Sequence, residues 1–308
     1  MATISQVFKN RTPAPRFHLR LSEPQRTAIA FLAPALLIFS IFVLWPIIKS
    51  VRYSLYDWNG VGPLSDFIGV NNYEDLLHDK VFWKALKNNG IVVIWSLGTQ
   101  IPLGVGLALL LTRGLKGSSF FRTLYFVPMV LSEVIVGVIW RWIYQPFFGM
   151  ANAALLELGL DKQGWLGDEK QVLLCILVVA TWRYLGFYIV IFIAAIQGIP
   201  EEYYEAASID GANAFQRHRY ITIPQLIPTI RVASVLMIVG ALKSFDLVWV
   251  LSQGGPSHAS ELVATYMFKE AFSSNNWGYG STIAFTLFLI AFVLAITFIF
   301  FTRQKKDT

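Results

Sequence analysis

The chain has 308 residues, 55% of them hydrophobic and only 14% charged, with a mean hydropathy of +0.55. A soluble domain carries about 25% charged residues, so this composition excludes an ordinary soluble globular protein and points to a polytopic membrane protein. The formal net charge of +6 is spread over separate short segments, which excludes the concentrated basic face that nucleic-acid binding needs.

Crossing roughly 30 Å of hydrocarbon takes about 20 apolar residues. Six runs meet that length, at 28–48, 91–111, 124–144, 172–196, 230–251 and 282–301. The first follows a tail, 1–27, holding Lys9, Arg11, Arg16, Arg20 and Arg26. It is too long for a signal peptide and has no small-residue cleavage site. Between the first and second runs, residues 52–87 form an outer loop with turn signals in "YDWNGVGP" and a short interfacial helix expected in "FIGVNNYEDLL". The next connection holds Arg113, Lys116 and Arg122. Residues 145–170 and 252–279 make two further outer loops, and a short tail, 303–308, holds Arg303, Lys305 and Lys306. Lys and Arg concentrate in cytoplasmic segments, so both termini and the connection between the fourth and fifth runs are expected in the cytoplasm. Everything from 28 to 302 reads as one membrane domain, an all-α bundle of six transmembrane helices.

Pro34, Pro46, Pro102 and Pro128 fall inside apolar runs. Each frees a backbone carbonyl and permits a kink. Such kinks either shape a cavity or reflect the ordinary abundance of proline in membrane helices. The single cysteine, Cys175, lies in an apolar run and reads as packing.

The connection at 197–228 is far longer than joining two spans requires. Pro200 stands at an expected first helical position, with Glu201 and Glu202 in the first turn. Gly211 supplies the left-handed residue that ends a helix. Asn213 caps a second short helix, expected to run until Pro224 and Pro228 limit it. Ala206, Ala207, Ile209 and Ala212 allow close approach, while Glu205, Asp210, Arg217 and Arg219 offer charge-assisted contacts. The result is a helix–turn–helix that either projects toward a partner or lies on its own bundle.

Within that connection, Glu205-Ala206-Ala207, Asp210-Gly211-Ala212 and Ile221-Thr222-Ile223-Pro224 resemble the "EAA" signature of the permease subunits of binding-protein-dependent ABC importers. "KSFDLVWVLSQGGP" at 243–256 looks like the corresponding run of carbohydrate permeases of the maltose and glycerol-3-phosphate type, as do "FLAPALLIFSIFVLWPIIKSVRYSLYDWNG" and "RTLYFVPMVLSEVIVGVIWRWIYQPFFG". The resemblance covers 31–301 and favours the first permease of a heterodimeric pair. It implies the type I importer permease fold in a bacterial cytoplasmic (inner) membrane. It implies Glu205, Ala206, Ala207, Asp210, Gly211, Ala212, Phe215 and Pro224 as the docking surface for an ATP-hydrolysing subunit. It also implies a second permease, two ATPase copies and an extracytoplasmic binding protein that delivers a sugar. The chain has no G-x-x-x-x-G-K-[ST] loop, so it is expected to be no enzyme and to hold no cofactor, ATP and Mg being the partner's. Two departures from the pattern are His218, where a large apolar residue is common, and Ile223, where Leu is common.

Ionisable groups at membrane depth face a cavity or a partner. Glu133 and Arg183 are either an interhelical ion pair or solute-pathway lining. Lys243 and Asp246, three residues apart, are expected on one helix face, neutralising each other. Aromatic faces and polar side chains read sugars, which selects Trp95, Thr99 and Gln100, then Trp140, Trp142 and Tyr144, then Ser244, Asp246 and Trp249, with Ser244 and Asp246 foremost. A stand-alone ion-coupled secondary transporter is the alternative, but no paired halves are visible and such a protein needs no docking loop. His18, His78, His218 and His258 show no metal-ligand spacing, so no metal site is expected.

Overall fold

In the computed structural model, residues 23–112 and 116–302 are described; the first 22 residues of the expected tail 1–27, Arg113 and the tail 303–308 lie outside them. The chain divides into two compact units, Met1–Lys49 and Ser50–Thr308. The first holds helix α1 (Glu23–Phe39), a widened π turn at Ser40–Leu44 and the start of α2 (Trp45–Tyr53). Helix is thus already present at Glu23, ahead of the expected start at 28.

The second unit opens with the end of α2 and a loop. A two-stranded ribbon, β1 (Tyr56–Asp57) with β2 (Asp66–Phe67), pairs Tyr56 with Phe67. The expected interfacial helix is present as α3 (Asn71–His78). Its buried Asn72 donates to the carbonyls of Ser54 and Tyr56 at 3.0 and 3.2 Å. The spans come next: α4 (Lys80–Leu111), α5 (Ser118–Val130), α6 (Glu133–Ile143), α8 (Val172–Gln197) after the short α7 (Met150–Glu157), and α11 (Ile223–Leu242). Between α8 and α11 lie α9 (Glu201–Ile209) and α10 (Ala214–Arg217); after them come α12 (Asp246–Ser252), α13 (Val263–Phe268) and α14 (Trp277–Thr302).

Three expectations need correction. The run at 124–144 is not one straight helix: α5 and α6 meet at a 98° bend. Pro128 deprives the end of α5 of a backbone donor, and Ser132 starts α6 afresh by accepting from the Ile135 N–H at 3.2 Å. The run at 230–251 is broken too, with α11 ending at Leu242 and α12 starting at Asp246. Pro224 and Pro228, finally, do not end the second helix of the connection, because α10 continues through a π turn at His218–Thr222 into α11 as one helix, Ala214–Leu242. The same device precedes Pro46: each π turn closes two residues before the proline. The widened turn makes room for a ring that would collide with the preceding turn of a regular α-helix.

The bend between α5 and α6 is a broken crossing rather than a loop that returns. Arg122, early in α5, donates to the Leu111 carbonyl at the end of α4 at 2.9 Å. Thr112, just beyond α4, shares a hollow with Gln197 and Glu201. Tyr144, at the other end of the pair, shares a hollow with Gly167 ahead of α8 and Pro256 after α12. The start of α4 lies on that second face too, since Lys84 donates to the Ser257 carbonyl at 2.7 Å. The broken pair therefore runs from one face to the other. With the five continuous helices long and apolar enough to cross, it makes six spans.

Close helix contacts rest on small residues. Gly186 of α8 lies against the Tyr125 carbonyl of α5, and Gly137 of α6 against Val250 of α12. A β-carbon at 186 would overlap that backbone oxygen. Gly186→Ala should cost about 1–3 kcal/mol, read as a lower unfolding temperature in detergent.

Asp79 caps α4, accepting from the Val81 and Phe82 N–H groups and from the hydroxyls of Tyr266 and Tyr279 at 2.5 and 2.6 Å. Burial pushes its pKa up, but the two tyrosine hydroxyls and two amides outweigh this and hold the carboxyl below its ordinary 3.8. A depressed carboxylate stabilises the fold fully above its unfolded-state pKa, and this contribution fades as pH falls through the folded-state value. Wild type should therefore lose stability below about pH 3.8 more steeply than Asp79→Asn, as followed by acid titration of the unfolding temperature.

Candidate functional site

The connection at 197–228 is built by its caps. Pro200 occupies the N-cap of α9, one residue outside the expected position, with Glu201 and Glu202 in the first turn. Gly211 has φ +76°, and the Ala212 N–H returns to the Ala207 carbonyl at 2.9 Å while the Gly211 N–H meets the Ser208 carbonyl at 3.1 Å. This closing bond pattern satisfies the last carbonyls of α9. Asn213 and Gln216 then form a reciprocal capping box, with bonds of 2.8 and 2.9 Å.

Two contacts bind α9 to the following helix: Arg217 to the Ser208 hydroxyl at 3.0 Å, and the Tyr204 hydroxyl to Thr222 at 2.9 Å. The side chains projecting from this frame are apolar: Ile209 is 87% exposed, Phe215 76% and Tyr220 74%. Glu205, Ala206, Asp210, Gly211 and Pro224 are exposed beside them, while Ala207 and Ala212 are half-buried. His218 is half-buried in the π turn, its Nδ1 3.4 Å from the Thr222 hydroxyl, so it lies off the projecting surface. It lines a hollow of about 900 Å³ with Thr112, Gln197 and Glu201.

A second cluster lies among the spans. Gln100 and Ser244 line one cavity of about 130 Å³, joined by Ser96, Tyr184, Tyr188 and Gly240. Thr99 is not in this lining; it turns back to the Trp95 carbonyl at 2.7 Å. Ser96, one helical turn before Gln100, was not anticipated, although that spacing is legible in the sequence. Tyr184 and Tyr188 repeat that spacing on α8.

Glu133 and Arg183 form an ion pair of 3.7 Å at the bend. The buried Arg183 does more: its Nη1 donates to the Pro128 carbonyl at 3.0 Å and to that of Leu131. Tyr184 donates to Glu133. Arg183 thus satisfies backbone oxygens orphaned by the break, a role the sequence did not disclose. The second break has its own clamp, since Asn89 of α4 donates to the Ala241 carbonyl at 3.0 Å and accepts from the Val263 N–H at 2.9 Å.

The remaining candidates lie apart. Lys243 ends α11 and Asp246 opens α12, so they do not share a helix face; both are exposed, and among the described residues no ion pair joins them. Trp249 stacks on Phe245 at 5.5 Å and 16°. Trp140 and the buried Tyr144 pack at 5.3 Å in an aromatic cluster with Trp165 and Trp182. Buried Glu261 was not anticipated. It pairs with Lys269 at 2.5 Å and His258 at 2.9 Å and accepts from Thr265 at 2.7 Å, beneath Gly254, where a β-carbon would meet its carboxylate.

Residues 100–305, which include the connection at 197–228 and all of the cavity lining but Val92 and Ser96, match the family described as the binding-protein-dependent transport system inner membrane component. The chain belongs to this family. It is a multi-pass membrane permease, similar along most of its length to other ABC transporter permeases. A probable ABC transporter permease protein of Pyrococcus horikoshii is 39% identical, over 91% of this chain and 96% of that protein. The diacetylchitobiose uptake system permease protein of Streptomyces coelicolor is 34% identical, over 87% and 79%. The lactose transport system permease protein of Rhizobium radiobacter is 32% identical, over 90% and 94%. A solved bacterial ABC transporter involved in alginate import has a chain that matches with TM-score 0.81 at 23% identity, covering 92% of this chain and 97% of its own. The fold is that of an ABC importer permease of type I.

Replacing Arg183 by Met leaves Glu133 without its cation and two carbonyls without their donor. Arg183→Met should lose about 3–5 kcal/mol, seen as a lower unfolding temperature in detergent. Arg183→Met combined with Glu133→Gln should recover part of that loss, because no charge is then stranded.

Proposed function

We propose that this permease is one subunit of an ATP-driven importer and passes a sugar, a disaccharide or longer, delivered by an extracytoplasmic binding protein. It works with a second permease and two ATP-hydrolysing subunits, which bind ATP and Mg. The observation that carries the reading is the capped, apolar projection of Ile209, Phe215 and Tyr220 on the Glu205–Ala212 signature. Exposed apolar side chains on a rigid frame, rimmed by Glu205 and Asp210, fit a groove on a protein partner. The sugar class is supported by relatives whose names give diacetylchitobiose and lactose, and by the hydroxyl- and amide-lined cavity at Ser96, Gln100 and Ser244.

The proposed location is a bacterial cytoplasmic membrane with both termini inside. Six spans put both ends on one side. The docking face also carries Lys116 and Arg122, as cytoplasmic segments do. On the opposite face, Lys84 at the start of α4 bonds the Ser257 carbonyl.

The mechanism rests on a single rod. Helix Ala214–Leu242 carries docking residues at one end and Met237, Gly240 and Ala241 of the cavity wall at the other. Closure of the ATPase pair displaces the docking end, and the rod carries that displacement to the cavity.

Affinity capture of the tagged chain from its native host should recover an ATPase. Gly211→Pro, which cannot adopt φ +76°, should recover at least tenfold less. Undiminished recovery would overturn the docking role. Solute accumulation by vesicles holding this chain alone, driven by a proton or sodium gradient, would replace the importer reading with a secondary transporter.

A further inference from the structure

Beyond the cavity, the outer face carries a continuous file of aromatic rings. Phe245 and Trp249 both touch Phe268, at 5.2 and 4.8 Å between ring centres. Phe268 stacks on Phe272 at 4.9 Å and 29°; Phe272 meets Trp277 at 4.8 Å, and Trp277 meets Trp58 at 6.2 Å. Four separate segments contribute: α12 with the break before it, α13 with the turn after it, the start of α14, and the first outer loop. Chain proximity alone does not produce such an alignment. Trp277 is held by Gly60, where any β-carbon would strike the indole, and the Trp58 indole N–H is fixed to the Gly62 carbonyl at 3.3 Å.

The file is not core. Phe272 is 53% exposed, and the other five rings are partly exposed. Its margins are hydrophilic: Asp246 at one end, Ser273, Ser274 and Asn275 along the middle, Asp57 and Asn59 at the other end, all exposed. Flat apolar faces bordered by hydroxyls, amides and carboxylates match a saccharide, whose ring presents C–H groups on its faces and hydroxyls at its edge. One end of the file adjoins Ser244, which lines the 130 Å³ cavity.

We propose that Phe268, Phe272, Trp277 and Trp58 form an entry track on which an oligosaccharide slides by its C–H faces from the outer loops to the cavity at Ser244. The proposal rests on the sugar reading above. A track of several rings holds several sugar units at once, so its contribution grows with saccharide length, whereas the cavity of about 130 Å³ is smaller than an ordinary ligand pocket.

The test is uptake by the complete transporter, purified from its host with the binding protein and placed in vesicles. The probes are disaccharides and pentasaccharides of glucose, galactose and N-acetylglucosamine. For Phe272→Ala, kcat/KM should fall at least fivefold for the pentasaccharide, mainly through KM, and less than twofold for the disaccharide. Phe272→Trp should retain both, and Trp58→Leu should repeat the Ala pattern. Equal losses for both lengths, a Phe272→Trp variant as impaired as the alanine, or loss of the second permease from the purified complex would overturn the track; the last result would make the file a subunit interface. If the wild-type complex takes up none of these sugars, the sugar reading itself falls. The track fails alone if the wild type imports them and the variants show no length dependence.

Discussion

A broken helix inside a membrane leaves carbonyl oxygens with no partner, and lipid offers no donor. Each orphaned group costs about 1–3 kcal/mol or more. This permease breaks one span, between α5 and α6, and ends α11 just short of α12; a side chain from a neighbouring helix answers each interruption. Arg183 of α8 reaches the carbonyls of Pro128 and Leu131, and Asn89 of α4 reaches that of Ala241. Both donors belong to the two longest-packed helices of the bundle, whose contact includes Gly104 against the Phe192 ring. The α4–α8 pair is thus the frame, and the bent spans are hung on it.

The two breaks also set the make-up of the cavity. The end of α11 brings Gly240, Ala241 and Ser244 to face Ser96 and Gln100 of α4 and Tyr184 and Tyr188 of α8. Tyr184 is shared: it lines the cavity and donates to Glu133 beside Arg183. The polar cavity wall is therefore bonded to Glu133, the ion-pair partner of the Arg183 that holds the bend.

Much of this was legible from residues alone. Span number followed from run lengths, and the two short helices of the 197–228 connection from Gly211, Asn213 and the acidic first turn of α9; whether they face a partner or their own bundle did not follow from the residues alone. The features that escaped were tertiary. Hydropathy is blind to a bend, so 124–144 read as one helix although Pro128 and Ser132 carried the local signals of a stop and a start. Pro224 and Pro228 read as terminators because propensity takes no account of a π turn that makes room for a ring. Arg183 left two readings open, since its partners are backbone oxygens of another helix and carry no sequence signature. Glu261 was missed because its partners, Lys269 and His258, lie in a stretch that read as an ordinary outer loop.

The π turn at His218–Thr222 sets more than a proline's comfort. Each residue added to a helix rotates the next side chain by about 100°, and a π turn adds one without adding a full turn of rise. The projecting side chains of α10 and the inward side chains of α11 are thus held at a fixed angular offset, like two cams keyed to one shaft. The chain length between Asn213 and Pro224 is in that sense a timing element. Under the proposed mechanism, it decides which face of the cavity wall turns inward when the Ala214 end of the helix is pushed from a given direction.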